Sequence, residues 1–225
     1  MSFDSDSAPY RDVPFPLAVY LLSFAVGLVA QLVQVVALLA SKVRIEEFRL
    51  FYGQALATYD LGRTQLHLGW IPLGCTTKYD VHQFSQLPMI ARVVLLLPPP
   101  VVMLGICFAV LGPEKGLHHL LTGFRQMLEG IYSPIDVGYV LIGKLHALYR
   151  QSPVEMVGVI CAKWVAWSVL PIGNIGVAVL HQIFSPAVRP REWAERAASM
   201  AAFAGFLTSL IWMGIFLVYA VMHWV

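Results

Sequence analysis

The sequence predicts an all-α membrane bundle of four spanning helices, with a small β-hairpin or strand element on the cytoplasmic side and an amphipathic surface helix. Composition carries the class. Of 225 residues, 58% are apolar and 12% charged, where a soluble domain carries about 25% charged residues. Mean hydropathy is +0.70. Distribution carries the helix count. The stretches 13–41, 93–111, 164–188 and 197–222 contain no Asp, Glu, Lys or Arg, and each reaches about the 20 residues that a spanning helix needs. Read as units, these give a tail over 1–12, a membrane core over 13–188 and an additional helix over 197–224. Within the core the spans are 13–41, 93–111 and 156–188, with a β element over 43–80 and surface helices over 114–150.

Each element has a local reason. Pro14 and Pro16 suit the start of the first span better than its middle. After Ser41 the pattern changes: Gly53 and Gly62 punctuate, and 64–70 alternates in the manner of a strand. This predicts a strand element lying at the cytoplasmic membrane surface. Pro98, Pro99 and Pro100 interrupt the second span, so a neighbour must cover the carbonyls they free. Leu117, Leu120, Leu121, Phe124, Met127, Leu128 and Ile131 then recur at helical spacing. His118, His119, Arg125, Gln126 and Glu129 occupy the other face, which predicts an amphipathic helix along the outer membrane surface. A second surface helix is expected over 137–149, and Pro171 with Gly173 predicts a break within span three.

Orientation follows from the basic residues. One side holds Lys42, Arg44, Arg49, Arg63, Lys78, Arg92, Arg189, Arg191 and Arg196. The other holds Arg11, Lys115, Arg125, Lys144 and Arg150. Nine against five places the 42–92 loop in the cytoplasm, in a bacterial inner membrane, and both termini outside. The tail, with Asp4, Asp6 and Asp12, has no basic n-region and is not read as a removable signal peptide. No basic arm points to nucleic acid. Cys75, Cys107 and Cys161 match no metal knuckle or redox pair and read as small buried residues.

Four phrases in order resemble the site-2 protease family of intramembrane zinc peptidases. The first is Ala30-Gln31-Leu32-Val33-Gln34, followed by Ile45-Glu46-Glu47-Phe48 and Trp70-Ile71-Pro72-Leu73-Gly74. The second, Leu97-Pro98-Pro99-Pro100-Val101-Val102-Met103, is similar to a Gly-Pro-x-x-Asn motif. The third is Ser133-Pro134-Ile135. The fourth, Val169-Leu170-Pro171-Ile172-Gly173-Asn174-Ile175-Gly176, is similar to a motif ending in Leu-Asp-Gly. Cys75-Thr76-Thr77 departs from the Gly-Tyr-Val that usually follows Pro-Leu-Gly.

The family's chemistry needs two imidazoles four residues apart on one helix face, a glutamate between them and a distant aspartate. The resemblance puts Ala30 and Gln34 at the imidazole positions and Gln31 at the base. It puts Gly176 at the aspartate and Met103 at the asparagine. Alanine and glycine offer no ligand, and a glutamine amide is neither a useful zinc ligand nor a base near neutral pH. No metal or cofactor is therefore expected. His67, His82, His118, His119, His146, His181 and His223 offer no replacement set by spacing.

The remaining polar residues have ordinary readings. Gln31 and Gln34 are expected to pair with Asn174 or with carbonyls freed near Pro171. Lys163 is expected to snorkel to the headgroups, and Trp164, Trp167, Trp193, Trp212 and Trp224 to form an aromatic belt. His118 and His119 read as a solvated helix face. By resemblance, the strand around Leu68, Trp70 and Pro72 would hold an unwound transmembrane segment of a partner, with Gln31, Gln34 and Asn174 contributing. The reading is a pseudoprotease: a structural or binding subunit of a membrane complex, in contact with lipids and other membrane proteins. An active peptidase with rearranged ligands and a transporter or channel accessory subunit are the alternatives.

Overall fold

The computed structural model describes residues 13–184 and 192–223. The acidic tail, Arg189, Arg191 and Trp224 lie outside the described residues. Four helical stretches are long and apolar enough to cross a membrane: Phe15–Ala40, Met89–Leu111, Pro153–Ile183 and Glu195–His223. The first, α1 (Phe15–Ala40), starts at the two prolines and ends at Ser41, whose backbone N–H closes the last turn. Lys42, at φ +60°, then turns the chain back.

Two long strands follow, β1 (Ile45–Leu61) and β2 (Thr64–Tyr79). They pair antiparallel from Ile45 opposite Tyr79 to Leu61 opposite Thr64. The hairpin is folded at its middle, where Phe51 (φ +68°), Gly53 (φ +87°) and Gly74 (φ +147°) hold left-handed conformations. Gly69 lies there against the backbone of Phe51 and Tyr52, leaving no room for a Cβ. Folding brings Gln65, Leu66, His67 and Leu68 beside Glu47, Phe48, Arg49 and Leu50, which are thus paired on both sides. The backbone runs lie in the order 55–61, 64–69, 45–50, 75–79.

This sheet is not confined to the end of α1, where the sequence predicts it. Val43 and Ile45 pack on Leu38, Thr77 bonds Gln31, Phe51 stacks on Phe24, and Tyr20 donates to the Pro72 carbonyl. From Leu38 back to Tyr20 an α-helix rises about 27 Å, close to the roughly 30 Å of a bilayer's hydrocarbon core. The sheet therefore runs alongside α1 for most of that helix's length.

Two short helices, α2 (Val81–Gln86) and α3 (Met89–Val94), lead into α4 (Pro98–Leu111). Asp80 caps α2 by accepting from the Gln83 N–H. The three prolines open α4 after a tight turn at 95–97. First-turn N–H groups have no helical partner anyway, so proline loses little there.

The segment predicted as surface helices forms a helical hairpin packed against the spanning-length helices. Its arms are α5 (Pro113–Tyr132) and α6 (Tyr139–Gln151), joined by a single wide turn over Pro134–Gly138. Gly116, Gly123 and Gly130 recur every seven residues along α5, and all three are buried. They lie against Phe108, against Ala166 and Lys163, and against Trp212, respectively. Gly138 and Gly143 of the other arm meet Ile215 and Tyr219. The apolar residues Leu117, Leu121 and Leu128 face outward. The face of α5 that meets the protein is thus made by its glycines, with Leu120, His119 and Gln126 beside them, while His118 and Arg125 remain exposed.

Helix α7 (Pro153–Val169) begins at Ser152, which accepts from the Glu155 N–H. As Pro171 and Gly173 predict, it breaks over 170–173, and α8 (Asn174–Phe184) resumes the path. Gly173 and Gly176 sit directly on carbonyls of α7 and its end. Gly205 of α9 (Glu192–His223) sits on the Ile172 carbonyl. The core between α1, α4 and α7 comprises Val26, Ala30, Met103, Cys107, Leu111, Val159, Cys161, Ala162 and Val165. All three cysteines are buried and free.

Candidate functional site

Of the positions singled out from the sequence, Ala30 and Met103 lie in that core. They share one buried cluster with Cys107 and Cys161, and Met103, Cys107 and Cys161 are wholly shielded from solvent. The Cys161 thiol lies 4.0 Å from the Met103 sulfur. Methyl groups and sulfur fill this core. At Gly176 a Cβ would overlap the Leu170 carbonyl oxygen, so the local backbone excludes an aspartate as well as lacking one. Among the described residues, no three His, Cys, Asp or Glu side chains converge where a metal ion could sit.

The two glutamines of α1 are spoken for, and not by the predicted partner. Gln34 Nε2 donates to the Leu95 carbonyl at 2.8 Å, at the turn just ahead of the three prolines. The prolines do need a covering neighbour, and Gln34 supplies it. Gln31 Oε1 accepts from the Thr77 hydroxyl at 3.1 Å, tying α1 to β2. Asn174 is exposed, and its side chain accepts from the Ile175 N–H next to it, at the start of α8. Asn174 therefore joins neither glutamine.

Leu68, Trp70 and Pro72 lie on β2 at and beside the fold of the hairpin. Leu68 is paired with Leu50 and with Ala57. The Trp70 indole covers Gly53 and remains 60% exposed. Pro72 offers its carbonyl to Tyr20. The outer run, 55–61, has no strand on its far side among the described residues. Leu56, Tyr59 and Leu61 on that run are exposed. A row of backbone donors and acceptors thus stands open beside apolar side chains.

No family model, no curated protein and no solved structure matches the chain.

Other polar positions correct the sequence reading. The Lys163 ammonium does not reach outward. It donates to the His119 carbonyl at 3.0 Å, to Gln126 Oε1 at 2.6 Å and towards Thr122 Oγ1 at 3.4 Å. His119 is consequently half-buried rather than solvated. Burial first, and then the Lys163 charge, holds its imidazole below the ordinary range. Trp212 packs on Gly130 within the bundle instead of lying in a belt.

One cluster escaped sequence reasoning. Phe15, His146, Tyr219 and His223 stack at the shared end of α1, α6 and α9, with Phe15–His146 centroids 4.3 Å apart and Tyr219–His223 centroids 4.1 Å apart. The members come from three remote segments, so no spacing rule joins them.

Proposed function

We propose that the chain is a catalytically inactive, site-2-protease-like subunit of a membrane complex, which holds an extended segment of a partner protein. The observation that carries this reading is the open backbone edge at 55–61. It belongs to a sheet laid along a helix fit to span a membrane. An unpaired edge away from water leaves N–H and C=O groups unsatisfied at several kcal/mol each, and an added strand removes that penalty. The exposed Leu56, Tyr59 and Leu61 offer apolar contact to such a strand.

Two further features support a holding role over a cutting one. Ala30, at one ligand-like position, is packed against a core containing Met103, Cys107 and Cys161; Gln34 is bonded to the Leu95 carbonyl, and no side chain fits at Gly176. The lateral helix faces are also unsatisfied: only 17% of the apolar window of α1 and 11% of that of α9 is buried within the chain. Lipid and partner helices would cover them.

The test is photocrosslinking from position 59 in native membranes, with the full chain carrying benzoylphenylalanine there. A discrete heterologous membrane-protein adduct that copurifies with the chain is the expected result. Adducts to lipid alone from positions 56, 59 and 61 would contradict the reading.

A further inference from the structure

We propose that the cavity at the shared end of α1, α6 and α9 binds the phosphate of an anionic glycerophospholipid. The cavity has a volume of about 520 Å³. Its polar lining is Arg150, His146, His223, Tyr149 and Tyr219, with Val13, Phe15 and two prolines on the apolar side. Among the described residues, no Asp or Glu lines it, and Arg150 makes no ion pair. The described lining combines cationic and hydrogen-bonding groups with no carboxylate, which is the chemistry of an anion site.

The hydrogen bonds already made leave donors for a ligand. His146 Nδ1 is paired with the Tyr219 hydroxyl at 2.9 Å, which leaves Nε2 for another partner. His223 Nδ1 lies 3.0 Å from the Tyr219 carbonyl and so carries the proton; Nε2 of the neutral ring is then an acceptor, so the donors for an anion are Arg150 and, with the Tyr219 hydroxyl donating to Nδ1, His146 Nε2. The Tyr149 hydroxyl donates to the Val13 carbonyl at 2.8 Å, fixing the start of α1 as a wall. Burial, then the charges of Arg150 and His223, hold His146 below its ordinary range. An anion placed beside the His146 ring would offset the two neighbouring basic groups that disfavour its charged form.

Position selects the lipid over a free ion. Phe15 is the first residue of α1, and His223 ends α9, both candidate spans. The cavity therefore opens where headgroups stand if those helices cross a bilayer. Leu17 and Leu21, within two turns of Phe15 on α1, are exposed and offer apolar surface near the cavity for acyl chains. Free phosphate shares the headgroup chemistry but would gain nothing from that surface.

The test is native mass spectrometry of the full chain in detergent, titrated with phosphatidylglycerol or with phosphatidylcholine. One tightly retained phosphatidylglycerol is expected, with phosphatidylcholine retained at least about 10-fold more weakly. Arg150→Gln should weaken phosphatidylglycerol retention about 10-fold or more, the scale of a charge-assisted bond to phosphate. Lys144→Gln, the same charge change on the same helix but outside the cavity, should leave retention unchanged. Circular dichroism and gel filtration confirm that both variants are folded. Equal retention of the two lipids, equal effects of the two substitutions, or displacement of the lipid by millimolar inorganic phosphate would overturn the proposal.

Discussion

Lys163 and Gln126 form a 2.6 Å hydrogen bond between α7 and the hairpin arm α5. The ammonium is shielded by the packing of Gly123 against its stem. Gln126→Leu removes one acceptor and leaves the charge partly unsatisfied, which costs about 1–3 kcal/mol. Lys163→Met leaves only a neutral amide without a partner and is the milder change. The double variant should be less destabilised than the sum of the two. Thermal unfolding of the three variants in detergent checks this order; strict additivity would show that the contact contributes nothing.

Gln34 covers the Leu95 carbonyl, which the prolines of α4 deprive of a helical donor. Gln34→Leu should destabilise the fold by about 1–3 kcal/mol, the cost of an unsatisfied buried acceptor. Gln34→His is not a harmless restoration, because the shorter, rigid ring must find the same carbonyl. Unfolding midpoints compared with Leu32→Ala, an exposed position on the same helix, separate loss of the bond from a general effect on α1.

Rebuilding the resembling motif should fail. In the triple variant Ala30→His, Gln31→Glu, Gln34→His, the first imidazole enters a core in which Ala30 is 2% exposed. Overpacking there costs about 1–3 kcal/mol, and both glutamine bonds are lost. Adding Gly176→Asp forces a side chain against the Leu170 carbonyl. Lower yield and no stoichiometric zinc in the purified triple variant are expected. Tight zinc binding by that variant would show the cavity is still shaped for the ion.

Stability should fall on acidification through two histidines. His119 and His146 are both held below the ordinary imidazole value of 6.5, mainly by burial. The unfolded chain therefore takes up protons first, and stability declines as pH drops below 6.5 towards the lowered native values. Above 6.5 both states are neutral at these sites and the effect vanishes. Melting temperatures at pH 7.5 and 5.5 read it, and His146→Gln should reduce the difference. A rise in stability at the lower pH would contradict the assignment.

Much of this architecture is written in the sequence, because spanning length and freedom from charge are local properties. Proline positions at 98–100 and 171 locate both breaks for the same reason. The helical hairpin is not legible in this way. Gly116, Gly123 and Gly130 make the close contacts of α5, yet glycine adds nothing to an apolar stripe. Hydropathy therefore points to Leu117, Leu121 and Leu128, which face away from the protein. The placement of the sheet along α1 depends on contacts from Tyr20 and Phe24 to residues 52 and nearly thirty positions away, and no periodicity encodes them. Gln31 and Gln34 were recognisable as needing partners, but Thr77 and the Leu95 carbonyl become neighbours only once the hairpin and the turn before α4 are in place.

The most direct measurement is the zinc-to-protein ratio of the full chain purified from its native membrane without chelator, read by inductively coupled plasma mass spectrometry. A centre packed with Ala30, Met103, Cys107 and Cys161 and closed at Gly176 predicts a ratio far below one. One zinc per chain, retained through purification, would contradict it.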